Sequence, residues 1–84
     1  MKNNGAHTNY CKDAWKAIED AVIANYGILI PSGELTVTIT LPWTQEGALG
    51  LLKRSGKISS WVQDKEFEER NLRRYQISMD GEKI

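Results

Sequence analysis

One stretch of the chain, ELTVTITLPW at 34–43, alternates apolar and polar residues without interruption. In an extended strand, successive side chains point to opposite faces, so the apolar residues of this stretch share one face. Pro42 ends the pattern, because proline cannot donate a backbone hydrogen bond to a sheet. The pattern predicts a strand at 35–41 with threonine on one face and a core on the other, formed by Leu35, Val37, Ile39 and Leu41.

Helical spacing marks two further segments. Apolar residues recur every three or four positions over 10–26, which predicts a helix with one face in the core. The segment TQEGALGLLKRSG predicts a second and weaker helix, because Gly47 and Gly50 each cost up to about 1 kcal/mol relative to alanine. Two glycines three residues apart predict a close approach to a neighbouring backbone. A nucleic-acid-binding GxxG loop is the disfavoured alternative, since the two residues between the glycines are apolar.

The C-terminal part of the chain predicts two more strands, at 58–63 and 72–79. Between them, the charged segment 64–71 is typical of an exposed loop or a short helical turn. Its glutamates and arginines have the spacing of helical ion pairs. Residues 1–8 are expected to be a flexible leader, and residues 81–84 a tail.

The element order α-β-α-β-β predicts one compact α+β domain at 9–80. Its sheet has three strands, antiparallel or mixed, and the two helices pack on one face. The connection through the second helix is long enough for a crossover. The first two strands are therefore candidates for parallel neighbours, in a split arrangement related to ferredoxin-like folds.

Composition narrows the possible classes of protein. A hydrophobic fraction of 40% with 26% charged residues is ordinary for a globular domain and argues against disorder. The 11 basic and 11 acidic side chains cancel, whereas nonspecific nucleic-acid binding needs a basic excess. No apolar run approaches the roughly 20 residues that span a bilayer, and no signal peptide is recognisable. We therefore expect a cytoplasmic protein without a membrane partner.

Groups that could carry catalysis are sparse. Cys11 is the one cysteine, which fits a reducing compartment, and His7 is the one histidine. A cysteine nucleophile needs a positioned base, and the polar leader around His7 gives no sign of one. No second ligand pair completes a tetrahedral metal shell, and no phosphate-binding glycine motif occurs. The sequence predicts a protein that is not an enzyme and binds neither metal nor cofactor.

Aromatic and arginine residues favour a protein-binding function. Tryptophan, tyrosine and arginine dominate interface hot spots, and the chain has three tryptophans. We predict a small module that occupies a partner protein stoichiometrically, as an inhibitor or adaptor, with a homodimer as a further option. Small proteins without catalytic groups are often encoded by phages or mobile elements and block a host function such as defence. The predicted partner-binding residues are Trp61, Arg70, Arg73, Arg74 and Tyr75.

The alternative function is nucleic-acid binding through a local basic and aromatic surface. Interleaved glutamates in the segment 64–71 weaken this reading, because they would repel phosphate. The sequence leaves open whether Trp43 and Trp61 complete the core or lie at the surface. The candidate nucleic-acid-binding residues are Lys53, Arg54, Lys57, Arg73 and Arg74.

Overall fold

A computed structural model describes the backbone of residues 2–84 and the side chains of residues 11–84. The helices are α1 (Lys2–Tyr26) and α2 (Glu46–Arg54), and the strands are β1 (Glu34–Pro42), β2 (Ser60–Gln63) and β3 (Leu72–Asp80). Short 3-10 helices occupy Trp43–Gln45 and Gly81–Lys83. The predicted α+β fold and its element order are confirmed.

The first helix begins earlier than the sequence pattern predicts. The prediction starts the helix at residue 10, behind a flexible leader at 1–8, whereas the helical backbone begins at Lys2. Met1 and the side chains of residues 2–10, including His7, lie outside the described residues, and the leader's flexibility stays a prediction. Gly27 ends α1 with a positive φ of 81°. Its N–H donates to the Ile23 carbonyl at 2.8 Å, which closes the last turn.

The last strand of the chain lies in the middle of the sheet. The strand order is β1-β3-β2, and both pairings are antiparallel. β1 and β2 therefore run in the same direction, but β3 separates them. The expectation that these two strands could be parallel neighbours is wrong, because the crossover through α2 leaves room for one strand and β3 fills it.

One face of the sheet carries the core. The register places Val37 opposite Ile77 and Ile39 opposite Tyr75, so that large apolar side chains of both strands share a face. α1 packs on β1, and α2 packs on α1 and β2, over this same face. The predicted apolar face of β1 is thus confirmed. The buried core residues are Ala14, Ile18, Val22, Leu35, Val37, Ile39, Leu41, Ala48, Leu49, Leu52, Ile58, Tyr75, Ile77 and Met79.

The opposite face of the sheet is polar and largely exposed. The threonines of β1 lie there as predicted, beside Gln76 of β3 and Val62 of β2. The segment 64–71 reaches this face at one end, where the Phe67 ring centroid lies 4.2 Å from the Arg74 guanidinium.

The segment 64–71 is a loop and not a helical turn. The Asp64 carboxylate accepts a hydrogen bond from the Glu66 N–H at 3.0 Å, which makes a local turn. The Asp64 N–H donates to the Arg74 carbonyl at 2.8 Å and anchors the loop to β3. The glutamates and arginines of this segment have helical spacing, but the segment does not form a helix.

Gly50 of α2 does not mark a close backbone approach. Both Gly47 and Gly50 are exposed, and a Cβ added at Gly50 would meet nothing within 4 Å. The close-packing prediction is therefore wrong for Gly50. A close approach occurs instead at the buried Gly81, where an added Cβ would collide with the Pro31 carbonyl oxygen. Gly81 also donates its N–H to the Gly33 carbonyl at 2.8 Å, which ties the chain end to the start of β1.

Candidate functional site

The residues predicted for partner binding do not form one patch. Arg73 and Arg74 are successive residues of β3, so their side chains leave the strand on opposite faces. Arg73 lies on the helix-covered face, and its guanidinium donates to two backbone carbonyls at 2.8 and 3.0 Å. Arg74 lies on the open face, against Phe67 and 3.9 Å from the Asp64 carboxylate. The arginine cluster expected from the sequence is thus divided by the sheet.

The aromatic members of the predicted set face the core. Tyr75 is 0% exposed, so it is a core residue and offers no surface to a partner. Trp61 is half-buried, and its ring meets the Tyr75 ring edge to face with centroids 5.7 Å apart. Trp43, in contrast, is 55% exposed. Arg70 is exposed in the loop between β2 and β3.

The basic residues of the nucleic-acid alternative are also separated. Three of them lie at the C-terminal end of α2, close to the point where the Ser59 N–H donates to the Ser78 carbonyl. Arg73 precedes Ser78 by five residues, which is about 17 Å along β3. Arg74 points to the other face. The three residues at the α2 end are Lys53, Arg54 and Lys57.

A groove of about 540 Å³ lies between α1 and the C-terminal end of α2. Its floor is apolar, and its rim is basic. None of the described residues that line it is acidic. The floor consists of Cys11, Trp15, Leu51 and Leu52, and the rim carries Lys12, Arg54 and Lys57.

Helical spacing builds the floor of this groove. Cys11 and Trp15 are four residues apart and therefore share one face of α1. The Cys11 sulfur lies 4.0 Å from the Ala48 carbonyl oxygen of α2, so the two helices approach closely at this point. Beyond it, α2 ends at Arg54, and the apolar surface beside Trp15 is left accessible.

The end of α2 places Lys57 over this floor. Gly56 has a positive φ of 87° and donates its N–H to the Lys53 carbonyl at 3.1 Å. The Lys57 N–H donates to the Leu52 carbonyl at 3.0 Å, which completes a Schellman cap. The cap turns the chain back, and the Lys57 ammonium lies 4.7 Å from the centroid of the Trp15 ring. This is a cation–π contact at the mouth of the groove.

The rim charges have two possible roles. Positive side chains at the C-terminal end of α2 complement the helix dipole, which is sufficient reason for Arg54 to be there. Lys12 of α1 and Lys57 beyond the cap extend the positive charge around the groove. None of these three cations forms an ion pair with a side chain that the structure describes. A ligand anion would therefore meet cations that are not already neutralised.

Two polar atoms among the described residues are buried near the start of α2. The Tyr75 hydroxyl and Gln45 Oε1 have no hydrogen-bond partner among the described residues. Burial raises the pKa of Tyr75 from its usual value of 10.0, and the Glu46 carboxylate raises it further, against an opposing effect of Arg73. Glu46 is thus near enough to influence the hydroxyl, although no hydrogen bond of acceptable geometry joins them.

We expect Tyr75→Phe to keep the fold and to stabilise it by up to about 1 kcal/mol, because it removes an unpaired buried hydroxyl. The folded-state pKa of Tyr75 is raised, so the wild type loses stability as the pH rises above 10 and the unfolded state ionises first. The Tyr75→Phe variant should lose less stability over the same pH range. Urea unfolding at neutral pH and above pH 10 measures both effects, and a loss exceeding about 1 kcal/mol at neutral pH would show that the hydroxyl has a partner.

Comparison with protein-family models, curated proteins and solved structures found no match to this chain. Within residues 2–84, no helix combines the length and the apolar character needed to cross a membrane. Among the described side chains, no three His, Cys, Asp or Glu residues lie together in a way that could hold a metal ion.

Proposed function

We propose that the chain is a small protein-binding module whose site is the groove between α1 and the end of α2. The observation that supports it is an accessible apolar floor with three cations on its rim and no acidic residue in its described lining. The matching partner segment carries apolar side chains together with carboxylates. Its apolar side chains pack on Trp15 and Leu51, and its carboxylates pair with the rim.

The apolar floor of the groove strengthens ion pairs between the rim cations and the carboxylates of a partner. Charges that meet at the edge of an apolar surface are less screened than charges surrounded by water, so each ion pair is worth more there. Arginine and tryptophan are the residues most enriched at binding hot spots, and both lie in the groove as Arg54 and Trp15. Binding of this kind needs no chemical step. The module acts by occupying its partner, as an inhibitor or an adaptor.

The same features favour a protein segment over nucleic acid. A phosphate backbone is held by a track of cations, whereas Arg73 and Arg74 lie away from the groove and on opposite faces of the sheet. The apolar floor is complementary to aliphatic or aromatic side chains.

The test is affinity capture from a native lysate with the wild-type chain and two double variants. Arg54→Glu with Lys57→Glu reverses the charge of the groove rim. Lys65→Glu with Lys83→Glu makes the same change in charge at exposed residues that do not line the groove. Each sample is divided into nuclease-treated and untreated halves and read by quantitative mass spectrometry. Circular dichroism verifies that each variant is folded.

We expect a nuclease-resistant protein that the wild type and the control variant retain in near-stoichiometric amounts. The groove variant should retain at least about tenfold less, since two charge-assisted contacts become repulsive. Equal retention by the groove variant, or the absence of any such protein, would contradict a protein-binding groove. Loss of wild-type binding on nuclease treatment would favour the nucleic-acid alternative.

A further inference from the structure

β1 presents a free edge. The strand order leaves one side of β1 without a partner strand in the described chain. Its pairing with β3 runs over Glu34–Pro42 with a constant register and no bulge. The strand contains no lysine, and its one proline stands at the last position. The features with which proteins usually protect an edge strand from further pairing are therefore missing over most of its length.

The hydrogen bonds at the two ends of β1 show which backbone groups point away from β3. The Gly81 N–H donates to the Gly33 carbonyl, and the Trp43 N–H donates to the Asn71 carbonyl. The backbone N–H and C=O groups of the odd-numbered residues of β1 thus point toward β3. Because this direction alternates along a strand, the backbone groups of the even-numbered residues point away from the sheet edge. The outward N–H and C=O groups belong chiefly to Thr36, Thr38 and Thr40.

The order of residue types along β1 is self-complementary. Two copies of β1 can pair antiparallel about a two-fold axis through Thr38. Each residue then lies opposite the residue of the second copy that stands at the same distance on the other side of Thr38. Val37 then lies opposite Ile39 of the second copy, and Leu35 lies opposite Leu41. Threonine meets threonine on the other face, a favourable cross-strand pair. A two-fold interface requires this kind of self-matching, because the same patch must serve both partners.

We infer that β1 pairs with β1 of a second copy of this chain, in antiparallel register about Thr38, to form a continuous six-stranded sheet. The core face continues from one copy into the other, and the threonine face does the same. Thr38 exchanges two backbone hydrogen bonds with its own counterpart on the axis.

Exposed apolar residues next to this edge support the pairing. Ile28 and Leu29 are 91% and 88% exposed, and they lie in the connection that leads into β1. In the proposed register, Glu34 is opposite Pro42 of the second copy, so the exposed Trp43 of that copy comes toward this connection. The dimer thereby covers apolar surface that the single chain leaves in water.

Size and charge also fit a second copy. A nine-residue strand is about 30 Å long, comparable with the molecule's extents of 38 and 31 Å. The exposed apolar side chains of Ile28, Leu29 and Trp43 lie beside this edge and widen the surface that a second copy would cover. Glu34 is the one charged residue of β1 and lies at its end, so no like charges face each other at the two-fold axis.

Tyr26 is the local obstacle and is easily displaced. Its hydroxyl donates to the Thr36 carbonyl at 3.4 Å, a long bond, and the side chain is exposed. The incoming strand replaces that bond with a backbone N–H. No residue of the α1–α2 groove lies on this edge, so the dimer leaves both grooves open, and either proposal can fail without the other.

The test begins with the mass of the wild-type chain in solution, by light scattering and analytical ultracentrifugation over a wide range of concentrations. We expect a dimer of twice 9.5 kDa. Thr38→Lys places two like charges opposite each other on the axis and should weaken dimerisation at least about tenfold. Gln76→Lys is the matched control, because Gln76 lies beside Thr38 on the central strand and not at the edge. It should leave the dimer unchanged.

Disulfide cross-linking tests the register. In a Cys11→Ser background, Thr38→Cys places two thiols on the axis with Cα atoms about 5.5 Å apart, within the range of a disulfide. Thr36→Cys is the control, since its counterpart lies four residues out of register, about 13 Å away. Mild oxidation should cross-link the first variant and not the second. A monomeric wild type, a dimer insensitive to Thr38→Lys, or cross-linking of both cysteine variants would overturn the proposal.

Discussion

Replacing Ile39 with aspartate is expected to unfold the domain. Ile39 lies in the middle of β1, opposite Tyr75, and is 5% exposed. A carboxylate at this position would be buried among apolar core residues, which costs several kcal/mol even when the group takes up a proton. A chain of this length has a total stability of about 4–13 kcal/mol. The substitution also removes the apolar contacts of Ile39, and the two losses together exceed what the fold can absorb.

Gln76→Asp is the matched control for this prediction. Gln76 lies on the neighbouring strand but on the exposed face, so the same carboxylate stays in water. Its expected cost is the lower strand propensity of aspartate, about 1 kcal/mol or less. Circular dichroism and thermal melting distinguish the two variants. A cooperative melt of Ile39→Asp at the wild-type temperature would contradict the placement of Ile39 in the core.

The fold could be predicted because burial dictates the pattern of residues along each element. The alternation in β1 follows from one face lying under two helices, and the same constraint places Tyr75, Ile77 and Met79 on one face of β3. What the pattern could not give was the order of strands. Strand pairing depends on contacts between distant parts of the chain, and the apolar faces of β1 and β2 are compatible with either order. β3 takes the central position because of tertiary contacts, which no local pattern in the sequence reports.

The spatial arrangement of the predicted site residues could not be derived from the sequence, for a related reason. Arg73 and Arg74 are adjacent in sequence and were expected to act together, although a strand at 72–79 already implies opposite faces. The groove depends on where α2 ends relative to α1, which no local pattern reports. Cys11 and Trp15 continue the helical spacing of the apolar face of α1, yet both are only half-buried, where α2 ends. Their spacing alone marks them as core residues and gives no sign of a groove.

The second large effect is expected from Gly81→Ala, which should destabilise the domain by about 1–3 kcal/mol, in the range of overpacking. Gly81 is buried, and an added methyl group would collide with the Pro31 carbonyl oxygen and lie 3.1 Å from a methyl group of Leu35. The backbone there cannot move freely, because the Gly81 N–H is bonded to Gly33. The melting temperature should fall by about 4–8 °C for each kcal/mol lost.

Gly50→Ala makes the same chemical change with the opposite expected sign. Gly50 lies within α2, and its added methyl group points into open space. Alanine is the better helix former by up to about 1 kcal/mol, so the melting temperature should rise. The two variants, melted side by side, separate steric exclusion from helix propensity, since both add one methyl group. A destabilised Gly50→Ala would restore the prediction of close packing at α2. An unchanged melting temperature of Gly81→Ala would show that the turn at Pro31 moves to accommodate an added methyl group. The small size of Gly81 would then not be what allows residue 81 to pack against β1.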